Sequence, residues 1–142
     1  ANLLLETLEK LSAGDIMEIA QPASTTEKDI ILQHAPKIFT ETCHINWQKP
    51  AADIHNLVRG LSPYPAAYTQ LEGKKMKIFI TEKIMQKPAS QPGSFETDRK
   101  TFLRFACSDG YINILDLQLE GKKRMPVTDF LRGYRFADAP AK

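Results

Sequence analysis

"IHNLVRGLSPYPAAYTQLEGKKMKIFI", residues Ile54 to Ile80, changes its period part-way along. Ile54, Leu57, Val58 and Leu61 recur at helical spacing and make one apolar stripe. Pro50, just upstream, suits a helix start, and Pro63 cannot continue one. Pro63 and Pro65 fix two φ angles and push Ser62 and Tyr64 toward extended geometry, which makes a rigid joint. Beyond the joint the period falls to two. Glu72-Gly73 separates "AAYTQL" from "KKMKIFITEKI" as a tight hairpin turn does. Alternation then predicts Met76, Ile78 and Ile80 on one face and Lys75, Lys77, Phe79, Thr81 and Lys83 on the other. The stretch therefore reads as a short helix clamped to the first strand of a sheet.

Strand signals continue downstream. "TFLRFAC" and "YINILDLQL" flank Ser108-Asp109-Gly110, where an Asp-Gly pair can supply the positive φ of a primed turn. "PGSFET" predicts a short edge strand, and Thr128 is placed to cap a short helix from Asp129 that Gly133 ends. About five strands, mostly without helices between them, predict a mainly β fold with short flanking helices: a small antiparallel barrel or sandwich.

Upstream, "ANLLLETLEKLSAG" reads as a helix with Leu4, Leu5, Leu8 and Leu11 on one face and Gly14 as its C-terminal cap. It has no N-terminal cap and begins in mid-pattern, which predicts a chain cut from something longer. Residues 15–42 read as an extended connector, with Ile38 and Phe39 as its expected anchor points. Residues 1–50 hold four lysines against seven carboxylates, a balance of −3, while residues 51–142 carry +5. That asymmetry permits a polyanionic partner for the second part. Two cysteines, Cys43 and Cys107, are too few for a disulfide framework, and no apolar run nears the roughly 20 residues of a membrane span. A cytoplasmic protein without membrane or metal partners is the expectation.

No catalytic motif emerges. His34, His44, His55 and Cys43 match no zinc spacing, and there is no P-loop, G-x-S-x-G or G-x-G-x-x-G. Glu96 and Asp98 lie among Arg99 and Lys100 in what reads as a solvated loop. The basic clusters "GKKMK" (Gly73–Lys77) and "GKKRM" (Gly121–Met125) admit two readings. Lysines at strand ends serve solubility and block edge pairing. Two clusters on one barrel, with Phe79 among them and Arg59 extending them, also suit phosphate contact and base stacking.

Six segments carry a resemblance: "APKI" (Ala35–Ile38), "INW" (Ile45–Trp47), "PAADIHNLVRGLSPYPAAYT" (Pro50–Thr69), "GKKMKI" (Gly73–Ile78), "DGYINILDLQLEGKKRM" (Asp109–Met125) and "FLRG" (Phe130–Gly133). In this order they resemble the C-terminal portion of the methionyl-tRNA formyltransferase family. The resemblance implies that residues 1–14 are the last helix of an otherwise missing catalytic domain, 15–42 an interdomain linker, and 43–142 an OB-like antiparallel β-barrel. It implies that the full-length enzyme formylates the methionyl group of initiator tRNA with 10-formyltetrahydrofolate. The catalytic residues and the folate site then belong to the missing N-terminal domain, and this chain holds neither cofactor nor catalytic residue. Its partners are initiator tRNA and that domain. Arg59, Lys122 and Lys123 fall on family motifs and are the leading phosphate-contact candidates; Lys74, Lys75, Lys77 and Arg124 follow. Pro63 and Pro65 are the structural joint. The same architecture occurs in related folate-dependent formyltransferases whose C-terminal domain is structural and does not touch tRNA, which is the alternative.

Overall fold

The structure, a computed structural model, describes residues 2–14 and 36–137. The chain divides into two compact units, Ala1–Pro36 and Lys37–Lys142. In the first, α1 (Asn2–Ala13) ends as the sequence predicts: Gly14 takes φ +74 and its N–H meets the Leu11 carbonyl. Leu4, Leu5, Leu8 and Leu11 are all exposed. Most of the expected connector, residues 15–35, lies outside the described residues, whereas Lys37–Thr42 belong to the second unit.

The second unit runs α2 (Ala51–Leu61), β1 (Ala67–Leu71), β2 (Lys74–Ile84), β3 (Phe95–Thr97), β4 (Leu103–Ala106), β5 (Tyr111–Leu119), β6 (Met125–Pro126) and α3 (Val127–Gly133). Every strand pair is antiparallel, in the order β1-β2-β5-β4-β3, with the two-residue β6 added on β5. Strands β3, β4 and β5 meander, and β5 returns beside β2. The sheet curls into a half-barrel, the mainly β, OB-like fold expected. As predicted, the "SFET" segment forms an edge strand. Glu72 and Gly73, at φ +49 and +78, make the two-residue turn that sets the β1–β2 register.

The core fills the concave side. Helix α2 contributes Ile54, Val58 and Leu61, which meet Ile78, Ile114 and Leu117 of the sheet in one buried cluster with Phe130 and Leu131 of α3. Trp47 stacks on Phe105 with ring centroids 4.6 Å apart, and its indole N–H donates to the buried Thr69 hydroxyl at 3.0 Å. That bond removes the cost of burying a lone donor.

Several local expectations are corrected. Alternation along β2 breaks at an irregularity shared with β5: Ile78 pairs Leu117, Ile80 pairs Asp116 and Thr81 pairs Ile114, so Phe79 is extra on β2, Leu115 is extra on β5, and the side-chain phase flips on β2 while the register is restored. Ile80 is consequently 47% exposed, while Phe79 and Thr81 are buried. Helix α3 starts at Val127, not Asp129, and has no Thr128 cap; Pro126 is already fixed to β5 and Val127 turns into the core. The Asp109-Gly110 turn uses no positive φ. Gly110 is required for space instead, because a Cβ there would stand 2.5 Å from the Ile84 carbonyl oxygen. Asp109 accepts from the Ala51 N–H at 2.7 Å and so caps α2 from a distant turn.

Glu96 is not in a solvated loop. It lies in β3 opposite Arg104, which donates through Nε (3.0 Å) and Nη2 (2.8 Å), and it also accepts from the Tyr111 and Ser90 hydroxyls. Burial opposes ionisation of this carboxyl, but the hydrogen bonds from Arg104, Tyr111 and Ser90 outweigh it and hold the group below its ordinary range. Asp98 is exposed as expected, though its side chain accepts from the N–H groups of Lys100, Thr101 and Phe102 and so organises the β3–β4 turn.

Candidate nucleic-acid interface

The register sorts the candidate cations. Across β1, β2 and β5, Tyr68 faces Lys77 and Lys77 faces Gln118, while Gln70 faces Lys75. Their neighbours Thr69, Met76, Ile78, Leu117 and Leu119 are buried, so Tyr68, Gln70, Lys75, Lys77 and Gln118 share the convex face. Lys75 Nζ stands 4.0 Å from the centre of the Tyr68 ring, a cation–π contact. The Glu120 side chain accepts from the Lys75 N–H at 3.3 Å and places one carboxylate at the rim.

Lys122 and Lys123 lie in the β5–β6 turn, whose backbone is tied to Gln118 of this face. Gln118 Nε2 donates to the Lys122 carbonyl at 2.9 Å, and Gly121 turns the chain at φ +76. Both lysines are exposed. Among the described residues, the ion pairs within 4 Å are Lys10–Glu6, Arg104–Glu96, Arg124–Asp116 and Arg132–Asp129. Lys75, Lys77, Lys122 and Lys123 take part in none of these.

Arg124 differs. Its guanidinium grips Asp116 at 2.8 and 3.2 Å and lies 4.3 Å from the centre of the Phe79 ring. The pair neutralises its charge locally, and the guanidinium covers the ring that alternation placed among the lysines as a stacking surface. Lys74 opposes Leu71 and has the opposite side-chain phase to Lys75, so it does not join the convex face.

Arg59 stands apart as well. It is exposed on α2, bonded to Asn56 at 3.3 Å, on the helix that covers the concave side. Its neighbours are His55, whose Nδ1 lies 2.9 Å from the Thr81 hydroxyl, and Lys83. Burial, then the positive charges of Lys83 and Arg59, lower the His55 pKa. The seven candidates thus divide into Lys75 and Lys77 on the convex face, Lys122 and Lys123 exposed in the turn that follows β5, a paired Arg124, and Lys74 and Arg59 off that face.

The segment with Pro63 and Pro65 links α2 to β1. Ser62 is extended, and the Ala66 N–H closes the segment onto the Leu61 carbonyl at 2.9 Å. Both Ser62–Pro63 and Tyr64–Pro65 peptide bonds are cis. Ile38 and Phe39 are not buried anchors; each is 55% exposed. Instead they line a groove of about 490 Å³ with Tyr64, Tyr68, Lys75 and Lys77. The aromatic rings beside the lysines are therefore these, and not Phe79 as alternation predicts. Turn arithmetic holds the signal for one of them: a two-residue turn at Glu72-Gly73 pairs Tyr68 with Lys77.

Comparison with known proteins bears on this arrangement. A family model described as the formyl transferase C-terminal domain matches residues 37–135. The methionyl-tRNA formyltransferase of Phocaeicola vulgatus is 46% identical over an alignment that covers 96% of this chain and 44% of the relative. That of Bacteroides fragilis is 42% identical, covering 96% and 43%. The chain therefore spans less than half the length of the curated relatives it matches. Among solved structures, a variant of HypX from Aquifex aeolicus superposes with a TM-score of 0.56 at 19% identity, over 94% of this chain and 24% of that one. That likeness concerns the fold alone.

Proposed function

The chain belongs to the formyl transferase C-terminal domain family, and from that premise we propose that it is the tRNA-contacting portion of a methionyl-tRNA formyltransferase. In the full-length protein, the formyl group of 10-formyltetrahydrofolate passes to the amino group of methionine on initiator tRNA, in the cytoplasm, at the start of translation. This chain carries no part of that chemistry. Its task is to hold the tRNA so that the acceptor end reaches a catalytic centre in the N-terminal domain.

One observation carries the reading: Lys75 and Lys77, in no ion pair among the described residues, stand side by side on the convex face, with Lys122 and Lys123 in the turn that follows β5. Such a face binds by neutralising phosphates and releasing counterions, a contribution that is independent of base sequence. The proline joint and the Ile45 N–H bond to the Tyr68 carbonyl (2.9 Å) tie the entering chain and α2 to β1. The face therefore keeps a set direction relative to both.

Titrating the 142-residue chain against labelled tRNA at 50 and 200 mM salt tests this. Two to four phosphate contacts predict affinity about 10- to 100-fold weaker at the higher salt. Affinity that ignores salt, or no binding at 50 mM, defeats the reading.

A further inference from the structure

Three aromatic rings gather beside the lysines, in a position where a surface serving only phosphate contact needs none. Tyr64 is 86% exposed and Phe39 55%, and with Tyr68 they border the groove that Lys75 and Lys77 close on one side. The backbone that carries the first two is held in place. Tyr64 lies between two prolines in a segment closed by the Ala66–Leu61 hydrogen bond. The Phe39 carbonyl accepts from the Thr42 N–H at 3.1 Å, the Thr42 hydroxyl at 2.6 Å and the Cys43 thiol at 3.4 Å. Tyr68 is braced by His44, edge-on at 5.2 Å, and by the Lys75 ammonium. Backbone held in this way spares part of the ordering cost when a ligand arrives.

The groove offers flat apolar surface and cationic heads within one space, at a volume in the range of small-ligand sites. A nucleotide matches both, with a π-face for the rings and a phosphate for the lysines. A base inside an RNA duplex is already stacked on its neighbours and cannot enter. We infer that the groove receives one unpaired nucleotide of the tRNA, its base against Tyr64 and Phe39 and its phosphate against Lys75 and Lys77. This rests on the reading of the convex face as a tRNA contact, and it adds a base subsite to a surface otherwise indifferent to bases. An unpaired nucleotide seated there would also fix the register of the tRNA on the barrel, which phosphate contacts alone leave free to slide.

The test compares octauridylate with an octamer of abasic ribose phosphates of equal charge, each titrated against the 142-residue chain beside tRNA itself. Octauridylate should bind at least about fivefold tighter than the abasic octamer, the lower end of one stacked base. Tyr64→Leu should erase that difference without altering the salt slope of tRNA binding, and Tyr64→Trp should keep it. Because Tyr64 is so exposed, both variants should retain the parent thermal midpoint, which excludes misfolding as the cause. If tRNA binds with the expected salt dependence but the two octamers bind alike, or Tyr64→Leu keeps the preference, the base subsite is refuted and the backbone contact stands. If no RNA binds at 50 mM salt, both fall together.

Discussion

Reversing two charges, Lys75→Glu with Lys77→Glu, should weaken tRNA binding by about 100-fold at 50 mM salt and reduce the slope of log affinity against log salt by about 2. The magnitude follows from counterion release. Each neutralised phosphate contributes about 0.9 to the slope, which amounts to about tenfold in affinity between molar and 50 mM salt. The fold should survive, since neither lysine is in an ion pair among the described residues. Reversal at Lys75 also removes its cation–π pair with Tyr68, worth about 0.5–1 kcal/mol at an exposed site. Arg59→Glu supplies the contrast. Arg59 stands over the concave side with His55 and Lys83, so its reversal should change affinity by less than about threefold, as a screened long-range charge does. Parity between the two variants would mean that the convex face has no special role, and the alternative of a structural domain with solubilising lysines would gain.

Phe105→Ala should cost about 3–5 kcal/mol of unfolding free energy, in urea denaturation followed through the fluorescence of Trp47, the chain's one tryptophan. Phe105 is 1% exposed on β4, stacked nearly parallel on Trp47 and tilted against Phe95 at 6.0 Å. Truncation removes the stacked ring and leaves a cavity among residues whose positions are set by the sheet. The hydrogen bond from the Trp47 indole to the Thr69 hydroxyl (3.0 Å) limits how far the indole can swing to fill the void. For a domain of ordinary stability, about 5–15 kcal/mol, this is a large share of the whole. A loss below about 1 kcal/mol would mean that the Trp47–Phe105 stack lies outside the folding core.

The contrast between these sites also explains what the sequence disclosed. Helix α2, the Glu72-Gly73 turn and the proline joint are written in neighbouring residues, as spacing or as backbone restriction, and each is readable. The bulge at Ile78–Ile80 is not, because it is a mismatch between β2 and its partner β5, far along the chain. That paired irregularity buries Phe79 beneath Arg124 and exposes Ile80, so the aromatic element lies elsewhere. The cap of α2 escapes notice for a related reason: its acceptor is Asp109, on another turn. Of the candidate cations, alternation already puts Lys75 and Lys77 on one face, but it cannot place Arg59 or Arg124 relative to them. Lys74 and Lys75 are neighbours in the chain and opposites on the strand, and Arg124 carries its own counterion in Asp116. The first follows from strand alternation; only the second needs the fold.

The claim that one convex face contacts the tRNA is tested most directly by the acetylation rate of each lysine, measured by mass spectrometry with and without saturating tRNA at 50 mM salt. Lys75, Lys77 and at least one of Lys122 and Lys123 should be slowed several-fold, while Lys83 and Lys100 react as before. Slowing spread evenly over all of them, or falling on Lys83 and sparing Lys75 and Lys77, would contradict the account.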